Sequence, residues 1–149
     1  MHYTQANRAY WLTAIGLILL FFGCLVYLFL YTHKFNIGWI KYPVSLPLFQ
    51  QVIYSLPSFL HVIVFTLLTL ATYSHLNPSL IIRWCLFWGI INGLCEYIQR
   101  YDALPYKTIL PDFVVRYFES GTFDHLDLIA IGLGVTLVLL FIPVLRNDS

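Results

Sequence analysis

GIINGLCEYIQR at residues 89–100 and GTFDHLDLIAIGLG at residues 121–134 are two apolar stretches, each charged at one end only. Glu96, Gln99 and Arg100 close the first, and Asp124 and Asp127 open the second. The chain is 60% hydrophobic and 10% charged, so charge at two adjoining apolar ends marks where helices meet a membrane edge.

Working outward, the same alternation of apolar runs and aromatic, charged connections repeats along all 149 residues. After a short polar lead, residues 9–31 carry no charge, and about 20 residues suffice to cross a bilayer. This run continues past Cys24 and lacks a small-residue cleavage site, so it reads as a retained span rather than a signal peptide. Residues 56–74 form a second span, with Pro57 placed in its first turn and Ser55 or Leu56 before it. Leu76-Asn77-Pro78-Ser79 is a turn in which Asn77 caps and Pro78 opens the next helix. Residues 79–99 and 125–145 complete four spans. The chain is therefore an all-α polytopic membrane protein, one domain over 1–149, with two long interfacial loops on the same side. Tyr101 to Phe123 has the aromatic, balanced-charge composition of a segment lying on the interface, with room for a short amphipathic helix.

A mean hydropathy of +0.78 excludes a soluble domain of this size, and a net charge of +1 excludes a nucleic-acid face. Cys24, Cys85 and Cys95 form no Cys-x-x-Cys and read as small buried hydrophobes. Gly89 with Gly93, and Ala130 with Gly134, are four apart and allow close helix approach.

Connectivity places the polar residues without any knowledge of orientation. Loops one and three of a four-span chain share a side, so His61, Glu96, Gln99, Arg100, Asp124 and Asp127 are expected at one membrane face. Asn92, Glu96 and Gln99 fall on one stripe, and Glu96 to Arg100 is the favoured order for an ion pair. Two readings stand side by side. Asp124 and Asp127 have capping-box spacing, Glu96–Arg100 is a pair suited to a helix end, and a single histidine commonly packs with a hydrogen bond. The convergence of these side chains from three helices instead points to a shared polar cluster. His61, Asp124 and Asp127 are then the candidates for acid–base work or for holding a divalent metal. No metalloprotease, nucleophile-elbow or phosphate-loop motif occurs, no cofactor motif is evident, and the histidines do not pair for haem. Transport lacks an inverted repeat, and four helices leave little room unless the protein forms a homo-oligomer.

The stretch SLPSFLHVIVFTLLTL at 55–70, together with the two stretches quoted first, resembles the VanZ-like family of small bacterial membrane proteins. That family carries Arg-x-x-Asp-x-x-Asp-x-x-x-Asn-x-x-Gly, matched here at Asp124, Asp127 and Gly134. The chain departs from it near Gly121, where the family has arginine, and at Ile131 or Gly132, where it has asparagine. The resemblance spans residues 55–140 and includes His61, Glu96 and Gln99. It implies a multi-pass protein of the bacterial inner (cytoplasmic) membrane, non-enzymatic or without an assigned reaction. It also implies a link to teicoplanin susceptibility or envelope lipid handling, with membrane lipids, envelope precursors or a membrane protein as partners. A membrane enzyme acting on a lipid-linked or phosphate-bearing substrate is the alternative, and a structural or assembly subunit with no site is the third. Arg8, Arg83 and Arg146 on short segments favour termini inside and the polar face outside.

Overall fold

The computed structural model describes residues 2–34, 47–100, 111–112, 115 and 123–143. These form α1 (His2–Lys34), α2 (Pro47–Ala71), α3 (Pro78–Ile98) and α4 (His125–Leu140). α1, α2 and α3 are long and apolar enough to cross a membrane, through Asn7–Leu28, Val52–Ala71 and Pro78–Ile98. α4 is a shorter apolar helix, about 24 Å at 1.5 Å per residue. The aromatic segment of the second loop lies outside the described residues except at Pro111, Asp112, Val115 and Phe123.

α2 is the centre of the bundle: it packs against α1, α3 and α4, and α3 also packs against α4. Each interface has a local cause. Gly16 lets α1 approach Leu68, whose Cδ2 would lie 2.8 Å from an added Cβ. At Gly134 an added Cβ would meet the Phe59 carbonyl oxygen at 2.8 Å and Val62 Cβ at 3.4 Å. Gly89 faces Val135 of α4 in the same way, at 2.6 Å. Gly93 and Gly132 have nothing within 4 Å, so only Gly89 of the Gly89–Gly93 pair receives a helix. Trp88 joins α3 to α2 by stacking on Phe65 at 4.9 Å and by donating from Nε1 to Thr69 Oγ1 at 2.9 Å.

Two helix starts show what local sequence decides. Asn77 adopts extended geometry and accepts from the Leu80 amide at 2.7 Å, with Pro78 following as the first helical residue. Asn77→Ala should therefore destabilise the folded protein by about 1 kcal/mol, read as a lower unfolding midpoint in detergent. α2 starts nine residues before the expected Leu56, so Pro57 is inside the helix and Ser55 is not its cap. Proline there removes the bond to the Ile53 carbonyl and crowds that oxygen, a disruption that packed spanning helices tolerate. Likewise α1 starts at His2, absorbing the expected polar lead.

The hydrophobic core gathers at one end of the bundle, where Leu12, Ile63, Leu67, Leu70, Leu76, Ile81, Cys85 and Val138 close on one another. Arg8 donates to the Ser74 carbonyl there, tying the start of α1 to the end of α2. Outward faces are apolar: Ile18, Phe21 and Leu25 on α1, Ile90 and Leu94 on α3, Leu133 and Leu140 on α4 are all exposed. Such a belt suits lipid.

Candidate functional site

At the end of the bundle opposite this core, α4 begins between α2 and α3. Asp124 is its N-cap, in extended geometry, and its Oδ1 accepts from the Leu126 amide at 2.9 Å. Asp127 occupies the third helical position, where a capping-box carboxylate would turn back to the Asp124 amide. It does not. The Asp124 N–H donates instead to Glu96 Oε1 of α3, at 2.8 Å. Glu96 is buried, 7% exposed, and supplies from a neighbouring helix the bond that Asp127 would have made. Relieved of that role, Asp127 turns to α2, where the Ser58 and Ser55 hydroxyls hydrogen-bond to its carboxylate. Its Oδ1 is buried and has no hydrogen-bond partner among the described residues.

The network is thus Glu96, Asp124, Asp127, Ser55 and Ser58, from three helices. All three carboxylates lie at the amino end of α4, where the helix dipole favours negative charge. Ser55 and Ser58 were not among the sequence candidates. Their spacing of three, placing both on one helix face, was the available signal, but it points to a site only once α2 extends back to Pro47.

The other candidates are elsewhere. Arg100 makes no ion pair with Glu96: α3 ends at Ile98, Gln99 is its C-cap, and Arg100 lies in the following turn. An i,i+4 pair needs the helix to continue, and here the guanidinium sits over the Phe123 ring, 5.6 Å from its centroid. Asn92 donates to the Trp88 carbonyl of its own helix at 2.8 Å. His61 is exposed on α2, beside Phe65 and facing a cleft against α1. It is not at the expected membrane face. His61 is about 15 Å from the α2 end at Ala71, whereas Glu96 is about 27 Å from the α3 start at that same face. With the early start of α2, His61 lies about midway along Val52–Ala71, the stretch of that helix long and apolar enough to cross a membrane. Cys24 is exposed rather than buried, Cys95 is half-buried, and Cys85 is buried as expected.

Among the described residues, no group of three or more His, Cys, Asp or Glu side chains is arranged to hold a metal ion. Glu96 and Asp124 are committed to backbone amides, which leaves Asp127 as the carboxylate with spare capacity. The arrangement can accept hydrogen bonds or positive charge at the end of the bundle where α4 begins. No protein-family model, curated protein or solved structure matches the chain.

Proposed function

We propose that the chain is a VanZ-like integral membrane protein of the bacterial cytoplasmic membrane that lowers glycopeptide susceptibility. It does so by engaging the headgroup of an envelope lipid or precursor at the Asp127 network. The observation carrying this reading is the Asp127 carboxylate, held by Ser58 and Ser55 with its buried Oδ1 unpartnered among the described residues. An acceptor withdrawn from water and left with spare capacity is costly unless something donates to it. A fourth crossing by α4 is part of the proposal, supported by its packing along α2 and α3. The network then faces out, with Arg8, Arg83 and Arg146 inside.

The test is teicoplanin susceptibility of cells producing the chain at matched membrane levels. Asp127→Asn keeps the shape and removes the charge, and it is expected to return cells to the susceptibility of those lacking the chain. An unchanged phenotype in well-produced Asp127→Asn would sink the site.

A scaffold reading has its own support, since Glu96 and Asp124 both satisfy amides at the start of α4. On that reading Asp127→Asn lowers unfolding stability and leaves the phenotype intact.

A further inference from the structure

His61 is the sequence candidate that the network leaves out, and its surroundings call for a different ligand. Leu19, Gly23, Cys24 and Tyr27 of α1 and Pro57, Leu60 and Val64 of α2 line a cleft of about 460 Å³ with His61 in its wall. Gly23 contributes no side chain to its wall, and an added Cβ there would be in ordinary contact with Leu60 Cδ1 at 3.5 Å. The cleft runs from His61, about 15 Å deep, to Tyr27, about 28 Å along α1 from Arg8 and so near the far interface.

The His61 ring lies 5.7 Å from Phe65 and makes no hydrogen bond among the described residues. An imidazole carries one donor and one acceptor when neutral, and leaving both unmade at mid-membrane is unfavourable. Intramembrane ionisable side chains usually face a partner or a cavity, and this one faces a cavity.

Three properties define an occupant. The lining is apolar apart from His61, Tyr27 and Cys24, so the ligand dissolves in the bilayer. The volume falls within the range of pockets for small molecules and is too small for a whole two-chain lipid. The polar contact lies at a depth where an ion is disfavoured, so the ligand's oxygen is neutral. We propose that the α1–α2 cleft binds a neutral, lipid-soluble carbonyl compound of the quinone class, with the His61 N–H donating to its carbonyl oxygen and Phe65 beside the ring. This site is separate from the Asp127 network and does not rest on its function.

The experiment titrates a short-chain ubiquinone into the full chain in phospholipid nanodiscs, isotopically labelled at its histidines. Binding is expected to saturate and to shift the ring-nitrogen resonance of one histidine, the resonance missing from His61→Phe. His61→Phe should weaken binding about tenfold, the loss of one hydrogen bond. Gly23→Leu, which puts a side chain into the cleft from its α1 wall and leaves His61 in place, should abolish it. Dodecane, which lacks a carbonyl, should leave the nitrogen unshifted. A titration that fails to saturate, or one unaffected by both variants, overturns the proposal. So does an equal shift with dodecane, or a His61 shift that follows protein concentration alone, which assigns the cleft to a second copy of the chain.

Discussion

Gly134→Val is expected to separate α4 from α2 and to produce the largest loss of stability of any single substitution proposed for this chain. The Cβ would lie 2.8 Å from the Phe59 carbonyl oxygen, a backbone atom within a packed helix that cannot swing aside. Overpacking costs about 1–3 kcal/mol in cores that can adjust, and this contact belongs at the upper end. The consequence extends beyond α4. Moving α4 away from α2 parts Asp127 from Ser58 and Ser55, so the polar network is lost with the interface. The measurement is thermal unfolding in detergent, with Gly93→Ala and Gly132→Ala as controls, since neither added methyl meets anything within 4 Å. A Gly134→Val midpoint equal to those of the controls would contradict the α2–α4 packing.

Glu96→Ala carries the second large effect. The Asp124 amide loses its acceptor in a part-buried setting, and an unsatisfied buried donor costs about 1–3 kcal/mol. Glu96→Gln keeps a carboxamide oxygen for that amide, and the charge it removes is a buried one facing Asp124 and Asp127, so it should cost little or nothing. Unfolding midpoints are expected to put Gln close to wild type and Ala well below both. Amide hydrogen exchange at Asp124 should follow the same order, with a marked gain in exchange for Ala alone. An ion pair to Arg100 predicts something else: Gln would then be nearly as damaging as Ala, and Arg100→Ala would match it. With the Arg100 guanidinium over Phe123, Arg100→Ala should cost little and should leave Asp124 protected.

Together these substitutions separate scaffold from site. Gly134 and Glu96 act through helix placement, so their effects on phenotype should track stability. Asp127→Asn is expected to depart from that line, losing phenotype at a stability close to wild type, because its Oδ1 contributes no bond within the described residues.

Much of the architecture was written in local pattern. The uncharged 9–31 run, the Asn77-Pro78 start and the Asp124 cap each depend on a few consecutive residues and elementary backbone chemistry, and each is present. So is the use of Gly134 at a helix contact, although small-residue spacing alone could not say that Gly93 would stay open. The extent of α2 was not legible. Proline is a strong local signal for a helix start, yet Pro57 is inside α2, which begins at another proline, Pro47.

That displacement accounts for the places of His61, Ser55 and Ser58, and the end of α3 at Ile98 accounts for that of Arg100. Sequence alone pointed to an all-α chain of four apolar helices, of which three are long and apolar enough to span and α4 is shorter, with carboxylates at the junction of α3 and α4. It did so because hydropathy and capping are properties of a segment and its water or lipid surroundings. Only the tertiary structure decided that Glu96, not Asp127, satisfies the Asp124 amide, that Asp127 turns to Ser58, and that His61 sits apart in its own cleft. Those outcomes depend on the rotation and axial shift of one helix against another. A turn of 100° per residue means that a few residues' difference in where a helix begins alters the depth of every side chain on it and which neighbour each one meets.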